Sequence, residues 1–237
     1  MRRVRVQYVA AGELPLDADE AHHLRDVLRL RVGDIVEVFD PLGRSAQATI
    51  ATVDARSVTV HAGPVQQPPA PPLRLTVASA VPKGNRADWM IEKLSELATH
   101  RFIPLATQRS IVHPGGKGKR ERWMRIAVEA AKQSRRAGVM LIDELTDLDA
   151  FLQSLPGPGW YCSTEPGAVP AADAPVNGPD LRLLIGPEGG WTDEEIRNLR
   201  HAGLTPVSLG DTILRIETAA VAGAAIVAAI VALRIRR

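Results

Sequence analysis

Three short segments of the chain combine residue types that can bind and act on a polar ligand. The first is Ile185-Gly-Pro-Glu-Gly-Gly190. Its three glycines let a ligand come close to the backbone, where amide N–H groups can meet the edge of an adenine or a carboxylate. It is not a phosphate-binding loop, because the lysine and hydroxyl of GxxxxGK[ST] are missing and GxGxxG does not fit. A plain tight turn is the competing reading. The second segment, Leu209-Gly-Asp-Thr-Ile-Leu-Arg-Ile-Glu-Thr-Ala219, sets Arg215 and Glu217 at the mouth of a helix, where the dipole favours anions. The alternative there is an Arg215–Glu217 ion pair with Thr218 helping to cap. The third, Cys162-Ser-Thr-Glu-Pro166, supplies small polar groups. No histidine stands in a partner motif for Cys162, which reads as a small buried residue rather than a nucleophile. The six histidines show no metal-ligand spacing, and a single cysteine excludes both a disulfide framework and a Cys-cluster zinc site. No metal is expected.

Such segments become a site only if elements bring them together, and in open α/β sheets ligands bind beyond the carboxyl ends of strands. The pattern predicts strands at 73–81, 102–106, 139–142, 160–163, 181–185 and 206–209. Helices are predicted at 86–100, 119–136, 148–155, after Thr192 and at 217–233, which implies a mostly parallel sheet covered on both faces. The last helix is apolar on nearly every side, so it should be buried, either within its own chain or against a second subunit. Ahead of these elements, Gly63-Pro-Val-Gln-Gln-Pro-Pro-Ala-Pro-Pro72 carries five prolines in ten residues and reads as a semi-rigid linker. Before it, strands at 4–9, 35–39, 46–53 and 57–61, with a helix over 20–30, suggest a compact β-barrel with one helix. Two domains are expected, 1–66 and 73–237.

Composition bounds the class. Of 237 residues, 45% are apolar and 24% charged, which excludes disorder and collagen-like structure. The N-terminus lacks a continuous apolar signal region, and the longest apolar run, Ala219 to Leu233, falls short of the roughly 20 residues that span a bilayer. A soluble cytoplasmic protein with no membrane partner is expected. The net charge of +2 conceals a partition. Residues 1–72 carry 8 Lys/Arg against 9 Asp/Glu, residues 73–140 carry 14 against 5, and residues 141–237 carry 7 against 13. A concentrated basic segment suits a surface that meets a polyanion, or else a solvated face with no partner.

IGPEGGWTDEEI followed by SLGDTILRIETAA resembles the C-terminal signature of the SPOUT superfamily of RNA methyltransferases, and most closely the RsmE family. The resemblance runs almost the full length. His23-Leu-Arg-Asp-Val-Leu-Arg29 with Gly33-Asp34 matches the N-terminal pattern of that family. Lys83-Gly84, Lys93, Glu96-Leu97, Pro104 and Arg109-Ser110 match the opening of its catalytic domain, and Glu129-Ala-Ala, Gln133-Ser134 and Arg136 match its basic helix. The chain departs from the family pattern in a few places. Ile216 stands where threonine is usual, Ala98 where glycine is usual, and Arg135 where a small residue is common. Gly138 and Met140 replace a frequent arginine and proline.

The resemblance implies an α/β protein: an N-terminal PUA-like β-barrel that binds RNA, followed by a SPOUT α/β domain with a C-terminal trefoil knot. It implies S-adenosylmethionine-dependent methylation of uridine N3 in small-subunit (16S) ribosomal RNA, acting on the rRNA or the small subunit. A homodimer through the knot helices would bury the last helix. The cofactor would lie on Ser163, Thr164 and Glu165, on Ile185, Gly186, Pro187, Glu188 and Gly190, and on Leu209, Gly210, Ile213, Leu214, Thr218 and Ala219. Catalysis would rest on Arg136 or Arg215 to stabilise the developing imidate and on Glu217 as the nearest base. Phosphates would be gripped by Lys83, Arg86, Arg109, Lys117, Lys119, Arg120, Arg122 and Arg125, with Arg2, Arg3, Arg5 and Arg29 from the barrel. Trp123 either stacks on a base or lies in the core. The rivals are a SPOUT ribose 2′-O methyltransferase and a non-catalytic RNA-binding or ribosome-assembly protein.

Overall fold

The computed structural model describes residues 1–112 and 117–235, and the Lys117 side chain lies outside the described residues. The chain forms two compact units, residues 1–70 with 131–139 and residues 71–130 with 140–237.

In the first unit the strands are β1 (Arg2–Arg5), β2 (Gly12–Pro15), β3 (Ile35–Phe39), β4 (Ser45–Val53) and β5 (Val58–Ala62). They form one sheet in the order β1-β3-β4-β5-β2, with β1 parallel to β3 and the other pairs antiparallel. Alternation decides the faces. Ala46, Ala48 and Ile50 point inward on β4 while Gln47 and Thr49 point out, and Val4, Val36, Val38, Val58 and Val60 complete the core. The strand expected over 4–9 stops at Arg5, and no β1–β2 pairing closes the sheet among the described residues. The helix expected over 20–30 is shorter. Asp17 accepts from Glu20 N–H at 2.9 Å to start α1 (Ala18–His22), which widens into a π-helical stretch, His23–Val27.

Residues 131–139 belong to this unit through specific bonds. Arg3 Nη1 donates to the carbonyls of Ala131 (3.1 Å) and Arg136 (2.8 Å), and its guanidinium lies over Phe39 at 4.1 Å and beside Glu37 at 3.2 Å. Lys132 pairs with the buried Glu20. Gly138, at φ +74°, sits so close to the loop after β3 that a Cβ would lie 2.7 Å from the Pro41 carbonyl. That contact leaves no room for the arginine frequent at this place in the family pattern.

The second unit is built on a parallel sheet. Its elements are β6 (Arg74–Ser79), α2 (Arg86–Glu96), β7 (Arg101–Ala106), α3 (Lys117–Ser134), β8 (Leu141–Ile142), β9 (Thr146–Asp147), α4 (Leu148–Ser154), β10 (Gly159–Cys162), β11 (Val169–Pro170), β12 (Asp180–Ile185), α5 (Asp193–His201), β13 (Thr205–Ser208) and α6 (Ile216–Ile235). From Ala131 on, α3 counts with the first unit. The sheet order is β11-β13-β10-β12-β6-β7-β8, with β9 pairing β7. The central strands β6 and β12 are buried along nearly their whole length, as strands covered on both faces must be. Two-residue strands such as β9 and β11 are too short to show a period, and sequence patterning misses them.

Within its own chain the last helix buries one side only. A single stripe, Ile216, Ala219, Ala220, Gly223, Ala224 and Val227, is buried at helical spacing, and α6 packs on α2, β6 and β12. Leu233 and Ile235 are exposed. By length and composition the helix, at 20 residues, could cross a membrane, which the shorter apolar run in the sequence did not suggest.

Ala98 ends α2 in the left-handed region at φ +59°. Thr99 N–H bonds to Leu94 O (3.0 Å) and Ala98 N–H to Ser95 O (3.1 Å), the Schellman pairing in which glycine is favoured. The glycine usual in the family pattern therefore has a conformational cause. Replacing Ala98→Gly should stabilise the protein by about 1 kcal/mol; urea denaturation followed by circular dichroism checks it, and an unchanged or lower midpoint contradicts it.

Candidate active site

The register of the parallel strands lines up their carboxyl ends. Ser79 pairs Ile185 and Pro104, Leu184 pairs Tyr161, and Cys162 pairs Val207. The segments leaving β6, β7, β10, β12 and β13 therefore start from one edge, and all three chemically distinctive segments are among them. Backbone bonds continue the alignment past the strand ends, from Ala80 N–H to Ile185 O and from Ser163 N–H to Val207 O, each 2.9 Å.

The glycine segment is shaped by Trp191, which the sequence reading did not single out. Its indole donates to Cys162 O at 3.0 Å, tying the β12 loop to the end of β10. The ring passes so close to Gly186 that a Cβ there would meet it at 2.9 Å. Arg109 closes the other side, with Nη1 donating to the carbonyls of Gly189 (2.8 Å) and Trp191 (3.3 Å). Helix α5 follows with a capping box, Thr192 and Glu195, and Glu195 Oε1 also accepts from Gln108 N–H at 2.9 Å. Arg109, expected on phosphates, thus has an internal task. Ser163, Thr164 and Glu165 leave β10, and Glu165 is paired with Arg200 at 3.2 Å.

In the third segment Leu209 and Leu214 are half-buried, Gly210 is exposed, and Ile213 is 86% exposed. The Arg215 carbonyl accepts from Ala219 N–H at 2.8 Å and opens α6, while Thr218 is exposed. Glu217, in the first turn, is only 6% exposed. The expected Arg215–Glu217 pair does not form. Glu217 Oε1 lies 3.4 Å from Arg86 Nη1, and Oε2 is buried without a hydrogen-bond partner among the described residues. Arg215 is exposed. A buried carboxylate at a helix N-terminus with one open oxygen is an acceptor waiting for a donor. Ile216 is buried as an ordinary apolar residue.

Several other expected residues have different surroundings. Arg136 belongs to the first unit, and burial pushes its guanidinium pKa down to about 10. Arg3 is a correction: its side chain is enclosed by Glu37, Phe39 and two carbonyls and is not available to phosphate. Arg5 is half-buried. Arg120 donates to Ile142 O at 2.9 Å and Arg122 to Asp88 at 2.9 Å. Lys119 lies over the Trp123 ring at 5.2 Å, and Trp123 itself is core, donating to Asp88. Arg2, Arg29, Lys83 and Arg125 are exposed. Among the described residues no group of His, Cys, Asp and Glu is arranged to hold a metal.

Burial pushes the Cys162 thiol up to about 12. Only the thiolate alkylates, so the folded protein should react very slowly with iodoacetamide at pH 8 and keep gaining rate as pH rises through 10. Denatured protein should react at the rate of a free thiol; equal rates in the two states would refute the burial argument.

An α/β unit with its ligand segments gathered at one sheet edge, together with a small β unit, defines a two-unit enzyme-like protein, and comparison with known sequences gives its class. Residues 69–228 match the RNA methyltransferase domain family and residues 16–62 the RNA methyltransferase PUA domain. The chain is 31% identical over 226 residues to ribosomal RNA small subunit methyltransferase E of Bacillus subtilis, covering 90% of this chain and 88% of that one. It is 33% identical over 225 residues to the Synechocystis protein of the same name, covering 91% and 73%. The structure of the Neisseria gonorrhoeae methyltransferase E bound to S-adenosylmethionine superposes with a TM-score of 0.86 at 26% identity, over 95% of each chain. The chain belongs to the ribosomal RNA small subunit methyltransferase E family.

Proposed function

We propose that the protein transfers a methyl group from S-adenosylmethionine to N3 of a uridine in small-subunit (16S) ribosomal RNA, free or within the small subunit. The reading includes a PUA-like β-barrel over 1–66 that binds RNA and a SPOUT domain over 73–237 whose C-terminal part is a trefoil knot. It also includes a cytoplasmic homodimer through the knot helices, with the half-exposed face of α6 covered by its partner. The observation that carries the chemistry is Glu217, a buried carboxylate with one unpartnered oxygen at the end of the segment leaving β13.

Uracil N3 carries a proton and becomes a nucleophile only as that proton leaves and charge spreads onto O2 and O4. N3 also lies on the Watson–Crick edge, so the base must be unpaired or flipped out. Glu217 Oε2 accepts the N3 proton, while Arg86 on Oε1 keeps the carboxylate from turning. Arg136 or Arg215 donates to the uracil oxygens as their charge grows. The segments at the sheet edge suit an adenosine group, because Ile213 leaves its apolar side chain open and Gly186 keeps the backbone bare beside Trp191. Ser163, Thr164, Glu165, Pro187, Glu188, Gly190, Leu209, Gly210, Leu214, Thr218 and Ala219 complete the cofactor contacts. Bound S-adenosylmethionine supplies an electrophilic methyl on a sulfonium.

Calorimetric titration with S-adenosylmethionine should give one site per chain, and treated small-subunit RNA should yield N3-methyluridine by nucleoside mass spectrometry. Methylation at a ribose oxygen would favour the sister SPOUT chemistry instead. Glu217→Gln should lower kcat by about 10²- to 10⁴-fold, and Arg136→Ala by about 10²- to 10³-fold, each with cofactor affinity retained. Loss of cofactor binding in either variant would remove its catalytic role. RNA affinity should fall log-linearly with salt through phosphate contacts from Lys83 and Arg125; a flat response would overturn the polyanion reading.

A further inference from the structure

One buried carboxylate in the first unit holds two residues that the proposed chemistry leaves unused. Asp40 is fully buried, and its two oxygens take four donors. Oδ1 accepts from the backbone N–H of Leu42 (3.0 Å) and Arg44 (3.1 Å). Oδ2 accepts from Val9 N–H (3.2 Å) and from Arg44 Nε (2.6 Å). The turn itself is already closed by backbone bonds, Gly43 N–H to Asp40 O (2.9 Å) and Asp40 N–H to Arg44 O (3.0 Å). The side chain therefore does more than turn the loop: it fixes the Arg44 guanidinium and the backbone next to Tyr8. The result is a guanidinium 3.8 Å from the centroid of the Tyr8 ring, although Tyr8 is 58% exposed.

We propose that Tyr8 and Arg44 form a stacking platform for an unpaired base of the RNA, a proposal that rests on the RNA-binding reading above. An exposed tyrosine normally loses rotamer freedom when a ligand stacks on it; here the guanidinium and the Asp40 bonds have already removed much of that freedom. Unpaired RNA bases are bound by stacking on aromatic rings, and the exposed Tyr8 ring, backed by a guanidinium, offers such a surface. The Arg44 side chain is largely buried and has its charge balanced by Asp40, so it backs the Tyr8 ring rather than gripping a phosphate. Charge for the backbone is available nearby in sequence from exposed Arg2, on the strand that leads to Tyr8. A base whose methylated edge must be unpaired comes from a single-stranded or opened region, and such a region has neighbouring bases to offer.

The test uses the full chain and fluorescein-labelled single-stranded RNA of mixed sequence, with anisotropy measured across a range of salt. Tyr8→Ala should weaken binding about tenfold while leaving the salt slope unchanged, because stacking releases no counterions. Tyr8→Trp should bind at least as well as wild type, and S-adenosylmethionine titration should be the same for all three proteins. Wild-type affinity in Tyr8→Ala overturns the platform, as does a loss that appears only as a shallower salt slope. Failure of the wild-type chain to bind RNA removes the RNA reading itself, which separates that failure from one specific to Tyr8.

Discussion

The parallel register of β6, β10, β12 and β13 is the constraint on which the site depends. With Ser79 opposite Ile185 and Cys162 opposite Val207, segments far apart in sequence leave the sheet from one edge. Both faces of β6 and β12 are buried, so a slip of one residue would exchange side chains between two packed layers and break their fit. The finer shape then follows from a few side chains that reach across the loops. Trp191 ties the glycine segment to Cys162 O, and Arg109 ties it to the loop after β7. Neither residue can do this unless the strands beneath are aligned.

Buried carboxylates show how the molecule separates structure from chemistry. Asp40 takes four donors, and Glu195 bonds with one oxygen to Gln108 N–H and with the other to Thr192 N–H. Each is satisfied and rigid, as buried polar groups in a stable fold must be. Glu217 is as well buried, yet one oxygen has no partner and the other has only a long contact to Arg86. The energetic cost of that arrangement is offset by its place at a helix N-terminus, where the dipole favours negative charge. Of Asp40, Glu195 and Glu217, only Glu217 keeps an oxygen open, and the proposed chemistry uses that oxygen.

Much of this was legible in the sequence, and the limits have physical causes. The alternation of strand and helix after the proline-rich linker, the glycine segment and the apolar last helix all depend on local composition. The Arg86–Glu217 contact joins residues 131 positions apart, and no spacing rule links them. The adjacent Arg215 looked like the natural partner only because a sequence shows neighbours along the chain and not across helices. The end of α3 was invisible for the same reason. Residues 131–139 read as part of the second domain but fold with the first, because Arg3, Glu20 and Pro41 supply partners that lie about ninety or more positions earlier. The π-helical stretch at His23–Val27 has the same apolar residues that an α-helix would use, so pattern alone could not separate them.

The basic middle segment shows why a charge count and a charged surface are different quantities. Fourteen Lys/Arg against five Asp/Glu suggested one face for a polyanion. Arg109 instead serves two carbonyls, Arg120 another, Arg122 pairs with Asp88, and Arg86 holds Glu217. Arginine suits these tasks because its planar fork can satisfy several acceptors while staying charged. Each guanidinium so engaged has less freedom to follow a phosphate and more influence on the loops around it. The exposed Lys83 and Arg125, with Arg2 and Arg29 from the first unit, have no such duties among the described residues. Part of the excess charge that looked like a grip on RNA is therefore the scaffold that shapes the site, and only the remainder is free to meet the polyanion.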